Sequence, residues 1–358
     1  MIQLEKYISG TYEIDPLGRS YFMPSHINAA WKWEDQSISS LLEKAALALG
    51  ELNAFSKIVP DVDLFIQLHV TKEAVNSCRI EGTKTKLDEA LMKESDISLA
   101  GKSDWVAVNN YIKTLNQAIV EIKSHQTSLN SIVTAHKQST QNKVSKQGLV
   151  GHSLEDELME DLENFLQDKN SKVPALIKIA IAHYQYQTIH PFIEGNRQIS
   201  RLLTPLFLVE QKILNKPLLH LSTFFEKDKS LYHNHLTSVQ SKNDMTQWLK
   251  YFLIGIAQTA ENTSYTLSQI IELKKILEIQ IVKTLGKRST KGILLLEFLF
   301  SKPIVYVNQV KEVTNSSFKS ANDLVADFVE AGILKETTGH NRNRIFVFEQ
   351  YLKMFEDK

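Results

Sequence analysis

The stretch His190-Pro191-Phe192-Ile193-Glu194-Gly195-Asn196-Arg197-Gln198-Ile199-Ser200-Arg201 decides how this chain is read. Helical periodicity runs into it from Pro174 to Gln187 and out of it from Asn196 to about Ile213. A Pro-containing loop with a histidine therefore joins two helices, and a Gly-Asn pair opens the second. The N-terminus of a helix presents unpaired N–H groups and the positive end of a dipole, which suits an anion. Arg197 and Arg201, four residues apart, share one face of that helix. Glu194 stands just before the anion site, where its carboxylate would repel a phosphate unless a divalent cation such as Mg²⁺ bridged them. His190 is the nearby group whose ordinary pKa suits a general base near neutrality. Base, metal and phosphate grip together point to phosphoryl or nucleotidyl transfer. The plainer alternative is an ordinary loop histidine beside a helix cap.

Outward from this stretch, helical periodicity dominates. The 358 residues include only 13 Gly and 8 Pro, few for a β-rich chain with frequent turns. Residues 1 to about 35 are the least regular, with Asp15-Pro16-Leu17-Gly18 reading as a turn. Helices are expected over Ile38–Ala54, Phe65–Ile80, Lys86–Met92, Trp105–Lys123, Ser153–Asp168, Phe225–Val239, Thr246–Ala260 and Ser264–Leu285. Between Lys137 and Gly151 the chain turns polar and reads as a loop. Near the C-terminus, helices over Ile293–Phe300, Val307–Val313 and Ser316–Ala331 precede strands over Ile333–Thr337 and Arg344–Phe348. Three helices followed by a hairpin is the plan of a winged helix-turn-helix. The expected fold class is mainly α, a helical body with that C-terminal domain.

Charge and cysteine usage narrow the function classes. Lys and Arg number 41 against 41 Asp and Glu, which excludes a basic nucleic-acid coat over the whole chain. The single Cys78 can form no internal disulfide, so a reducing, cytoplasmic setting is expected. The first residues lack the pattern of a signal peptide. No apolar stretch approaches ~18 residues, so no membrane contact is expected.

The central stretch resembles the signature of the Fic (Fic/Doc) family, H-P-F-x-[D/E]-G-N-G-R-x-x-R. Its flanks match as well, Ala182 to Ile189 leading in and Leu202 to Leu206 leading out. Upstream, Ser77-Cys78-Arg79-Ile80-Glu81-Gly82 is similar to the family's inhibitory motif [S/T]-x-x-x-E-[G/N]. The layout resembles that of the large bacterial class. It implies an N-terminal region 1–100 with the inhibitory motif, a Fic core 101–262, a connecting helix 263–287 and a winged helix 288–358. The activity so implied is protein adenylyltransfer, moving AMP from ATP to a Ser, Thr or Tyr hydroxyl of a protein target, which can be the chain itself. By the motif, His190 would take the hydroxyl proton, Phe192 anchor the loop and Glu194 hold Mg²⁺. Gly195 and Asn196 would line the anion site and Arg201 grip the terminal phosphates. Glu81, with Ser77 one turn before it and Gly82 after it, would pair with Arg201 and block the productive pose of ATP. Tyr232 falls in a region resembling the wall for the nucleotide base, whereas Phe224 and Phe225 read as core. Members of this layout often pair as homodimers.

Three features depart from the family. Arg197 stands where the second Gly of the motif belongs, and Gln198 where an Arg does. Arg197 adds bulk, yet on the Arg201 face it can itself reach the phosphates; Gln198 loses a charge-assisted contact. The segment His136 to Gly151 has neither the prolines nor the strand pattern of the family's target-docking flap. The resemblance thus leaves three outcomes: an active transferase, an enzyme that removes AMP with Glu81 positioning water, or a degenerate member acting as a DNA-binding or protein-binding regulator. For DNA, Lys319, Ser320 and Asn322 on the recognition helix and His340, Arg342 and Arg344 in the wing would supply the contacts.

Overall fold

A computed structural model of the chain describes residues 1–14, 18–58, 62–124, 152–191, 195–339 and 344–356. Its helices are α1 (Gln36–Ile58), α2 (Val62–Ile80), α3 (Leu87–Leu91), α4 (Lys102–Ser124), α5 (His152–Gln167), α6 (Ala175–Ile189) and α7 (Asn196–Glu210). They continue with α8 (Ser222–Lys227), α9 (Lys229–Lys242), α10 (Met245–Leu285), α11 (Ser289–Ser301), α12 (Val307–Val313), α13 (Phe318–Glu330) and α14 (Glu349–Leu352). The protein is mainly helical, as its composition implies. Among the described residues no helix is long and apolar enough to cross a membrane.

Helix α6 lies at the centre. Its residues from Leu176 to Tyr186 are buried without a break, including Lys178, His183 and Gln185. A helix covered on every side needs apolar residues all round, which Ile177, Ile179, Ile181 and Ala182 provide. It packs against α5, α7 and α10, while α1 lies along α10. Helix α2 is the second organiser, touching α3, α4, α7, α8 and α11. It therefore joins the N-terminal region, the body and the C-terminal unit.

Three expectations change. The irregular N-terminus contains strands: β1 (Ile2–Gln3) pairs in parallel with β4 (Trp31–Lys32), and β2 (Gly10–Ile14) pairs antiparallel with β3 (Ser20–Pro24). These strands are two to five residues long, and the alternation of Tyr12 and Ile14 with Thr11 and Glu13 is too brief to mark a strand. The helix expected over Phe225–Val239 is two helices, broken at Asp228, whose side chain accepts the Leu231 N–H and caps α9. Conversely, Thr246–Ala260 and Ser264–Leu285 form one 41-residue helix, α10, across the boundary expected at 262/263. The intervening Glu261-Asn262-Thr263 is polar but contains no Gly or Pro. Thr263 Oγ1 donates back to the Thr259 carbonyl within the helix.

The C-terminal elements run α11, β5 (Ile304–Val305), α12, α13, β6 (Lys335–Glu336) and β7 (Phe346–Val347). The strands form a sheet of order β5-β7-β6, both pairs antiparallel. Strand β5 was not expected; with two residues after Pro303 it carries no periodicity. Phe192, Glu194, His340, Arg342 and the polar segment His136–Gly151 (residues 136–150 and 151) lie outside the described residues.

Candidate functional site

The site is built where α6 ends and α7 begins. His190 terminates α6 in the left-handed conformation, φ 53° and ψ 53°, with its N–H donated to the Tyr186 carbonyl at 3.2 Å. A non-glycine residue there costs about 1–2 kcal/mol, and such strain gathers at functional sites. Gly195, at φ 87°, opens α7 and offers no side-chain cap. The N-terminus of α7 carries the positive end of the helix dipole, a feature that suits an anion.

The His190 ring is exposed at the surface, and Nδ1 lies 3.4 Å from the Gln187 carbonyl. That contact favours the proton on Nδ1 and leaves the lone pair on Nε2. Partial desolvation, aided by the charge of Arg197, lowers the pKa of the ring below its ordinary value, against the Gln187 carbonyl and Glu81. The imidazole is therefore neutral at pH 7 and competent as a base.

One turn further on, a carboxylate joins the two arginines. Arg201 Nη2 donates to Glu81 Oε1 at 2.9 Å and Arg197 Nη1 to Glu81 Oε2 at 3.1 Å. Arg201 is 1% exposed. Its Nε donates to Ser77 Oγ at 2.8 Å and its Nη2 to the Ser77 carbonyl at 3.1 Å. Burial alone would lower the Arg201 pKa, but Tyr232, Glu81 and Tyr111 outweigh it and keep the guanidinium charged. Ser77 and Glu81 thus act from one face, as their spacing implies. Glu81 and Gly82 form the turn just past the end of α2, with Gly82 at φ 107° and open space around it.

The remaining residues singled out by sequence take varied places. Asn196 is buried at the start of α7. Gln198 does not face the anion site: its Nε2 donates to Cys78 Sγ at 3.3 Å, and its carbonyl accepts the Tyr111 hydroxyl at 3.0 Å. It braces α7 against α2 and α4. Tyr232 is fully buried and stacks on Phe225 with centroids 4.2 Å apart. Its hydroxyl bonds His183 Nε2 at 2.9 Å and also Gln187. In this conformation Tyr232 presents no ring face to a nucleotide base. Burial pushes the Cys78 thiol up to about 12, so it is no nucleophile.

Sequence reasoning missed the supports. His183 sits buried among Phe225, Trp248 and Phe252, and burial lowers its pKa to about 3. Gln187, one turn on, reaches His183 Nε2 and donates to Ser200 Oγ, both at 2.9 Å, tying α6 to α7. The i, i+4 spacing of His183 and Gln187 was the available signal. Asn76 Nδ2 donates to Thr223 Oγ1 at 2.9 Å, fastening α2 to α8, and no sequence pattern marks that pair.

For a metal, Glu194 is the expected ligand and lies outside the described residues. Among those described, no group of three His, Cys, Asp or Glu is placed to hold an ion. Mg²⁺ in nucleotide sites is held by one or two carboxylates plus phosphate oxygens and water, so a single protein carboxylate suits it.

Two regions of the sequence match known family descriptions: residues 39–120 match "Fic/DOC family N-terminal" and residues 110–208 match "Fic/DOC family". The protein adenylyltransferase fic-1 of Caenorhabditis briggsae is 25% identical over 151 residues, 36% of this chain and 30% of that protein. The match therefore spans less than a third of that relative's length. Among solved structures, a Fic family protein from Desulfovibrio desulfuricans G20 is similar with TM-score 0.55 and 15% identity, over 88% of this chain and 96% of that one. A Fic-1 fragment from C. elegans gives TM-score 0.52 and 18% identity, over 66% of this chain and 74% of that one. Identities this low carry the fold alone. On the match of residues 39–208 to the two parts of the family description, this chain belongs to the Fic/DOC family.

Proposed function

We propose that the chain is a protein adenylyltransferase held in check by Glu81. The observation that carries this reading is the Glu81 carboxylate bridging Arg197 and Arg201 beside the His190 loop. Two guanidinium groups on one face of a helix N-terminus form a triphosphate grip, and a carboxylate lying between them competes with the phosphates for it. Adenylyltransfer is also the activity in the name of the C. briggsae relative.

In the proposed reaction the target's Ser, Thr or Tyr oxygen attacks the α-phosphorus of ATP. The new O–P bond forms as the bond to the bridging oxygen breaks, and pyrophosphate leaves. His190 Nε2 takes the hydroxyl proton. Mg²⁺, held by Glu194, would neutralise charge on the phosphates. Arg201 and Arg197 would hold the terminal phosphates once Glu81 has moved, Arg197 replacing contacts that Gly and Arg supply at these two positions elsewhere in the family. Gln198, turned to Cys78, would take no part.

The decisive experiment incubates the full chain with Mg²⁺ and ATP labelled at the α-phosphate, comparing wild type, Glu81→Gly and His190→Ala. Label should appear on protein in Glu81→Gly, more weakly in wild type and not in His190→Ala. Absence of label from every variant, together with absent ATP binding by calorimetry, would refute the proposal. Release of AMP from a modified hydroxyl, without transfer, would assign the reverse direction.

We read residues 288–358 as a winged helix that serves protein contact rather than DNA. Arg344 is turned back onto Asn322 Oδ1 at 2.6 Å and lies over the Phe346 ring at 5.1 Å. On α13, Asp327 pairs with Arg288 at 2.7 Å and Asp323 adds negative charge. DNA affinity that falls steeply with salt would overturn this reading.

A further inference from the structure

A second concave site lies further back along α2, one to two turns before Ser77. It is a cavity of about 70 Å³ enclosed by α2, α8, α10 and the short 3-10 turn Lys353–Phe355. A cavity needs only ~10–15 Å³ by this measure to hold one water, so this one accepts several waters or one small ion.

Its walls are polar and poorly matched. His69 on α2 is 8% exposed and His220, just before α8, is 7% exposed, and both line the space. His69 Nε2 has no hydrogen-bond partner. His220 has the Pro217 carbonyl nearby, but neither ring nitrogen reaches a partner in good geometry. Buried polar atoms without partners are destabilising, and most such atoms are satisfied in folded proteins. A cavity lined by two orphaned imidazoles is therefore one whose occupant completes them.

Charge selects the occupant. Lys72 and Lys227 line the same space. Glu73 is the one carboxyl in the lining, and it is turned to Ser222, accepting the Ser222 hydroxyl at 2.5 Å and its N–H at 3.2 Å. Burial pushes Glu73 up to about 7, so near neutrality it surrenders much of its charge. Burial likewise lowers His69 to about 3 and His220 to about 4, so both are neutral and each has one N–H to donate. The charge of the two lysines disfavours a cation, and the imidazole N–H groups beside them match an oxyanion.

We propose that this cavity is a binding site for a small oxyanion, a phosphate or carboxylate group, held by His69, His220 and Lys227 and separate from the site on α7. The same helix α2 then carries residues of both sites. The inference does not depend on the adenylyltransferase reading.

The test is NMR of the full chain labelled with ¹⁵N in histidine, titrated with inorganic phosphate and, in a second series, with acetate. The ring signals of His69 and His220, assigned by His69→Asn and His220→Gln, should shift and saturate. Response to phosphate but not acetate identifies a phosphate group, and response to both identifies any oxyanion. Lys227→Ala, an exposed change that spares the fold even if the histidine variants fail, should weaken binding roughly tenfold. Arg197→Ala should leave it unchanged. The proposal is overturned if both buried signals stay still, leaving a cavity filled by water. It is equally overturned if binding is lost in Arg197→Ala and kept in Lys227→Ala, which would place the anion on α7.

Discussion

Arg197 and Arg201 stand one turn apart on α7 and hold the two oxygens of one carboxylate, yet their surroundings are opposite. Arg201 has no exposed side-chain surface and is fastened to Ser77 as well as Glu81, whereas 49% of the Arg197 side chain is open to solvent. A buried guanidinium that loses its partners pays heavily in solvation, so Arg201 is held wherever Ser77 and Glu81 put it. An exposed ion pair is screened by water and salt, contributes little to stability and reforms freely. The sealed half of the cluster is architecture first, and the open half can trade a carboxylate for a phosphate. His190 belongs to the open half and His183, two turns earlier on α6, to the sealed half.

The largest effect should separate these halves by activity. His190→Ala should lower AMP transfer by ~10²–10⁴-fold in the Glu81→Gly background, while thermal unfolding stays unchanged because the ring is exposed. A large loss of stability would place His190 in the sealed half.

Arg201→Ala should act the other way. Denaturant unfolding should show a loss of about 3 kcal/mol, since Ser77 Oγ and one Glu81 oxygen lose their donor. Glu81 keeps Arg197, which holds the loss to the lower end of that range. A variant as stable as wild type would show the cluster to be no brace.

Arg197→Ala should leave stability within about 1 kcal/mol and lower transfer in the Glu81→Gly background roughly tenfold, the worth of one charge-assisted hydrogen bond. Full activity would mean that Arg201 alone grips the phosphates.

The smallest effect is on pH dependence. The folded pKa of His190 is lowered, so the neutral, basic form persists below the ordinary imidazole value of ~6.5. The acid limb of kcat/KM should therefore fall below that value, and Arg197→Ala should move it upward by removing a neighbouring positive charge. An acid limb above the ordinary value would contradict the desolvated environment.

Legibility followed the same division. Helix α7, its glycine start and the shared face of Arg197 and Arg201 follow from spacing, because a helical repeat sets geometry within one element. The pairing of Glu81 with Arg201 was implied by resemblance rather than by physics, since residues 120 positions apart share no local pattern. The direction of the Gln198 side chain depends on Cys78, 120 residues away on another helix, which no local pattern carries. Tyr232 was placed against a nucleotide base, but the cage of Phe225, His183 and Gln187 covers it. The continuity of α10 through Glu261-Asn262-Thr263 was obscured because polarity was taken for a break, whereas only backbone chemistry breaks a helix.

By itself the sequence determined a mainly helical chain, a histidine loop opening onto a helix N-terminus and a glutamate one turn after a serine. These are short-range matters of periodicity, turn chemistry and residue type. Only the tertiary structure decided which arginine is sealed and which is open, that Gln198 faces the core, and that two orphaned histidines meet in a cavity along the helix that leads to Glu81. Burial and partner choice depend on surfaces brought together from distant segments, and no local rule of spacing carries that information.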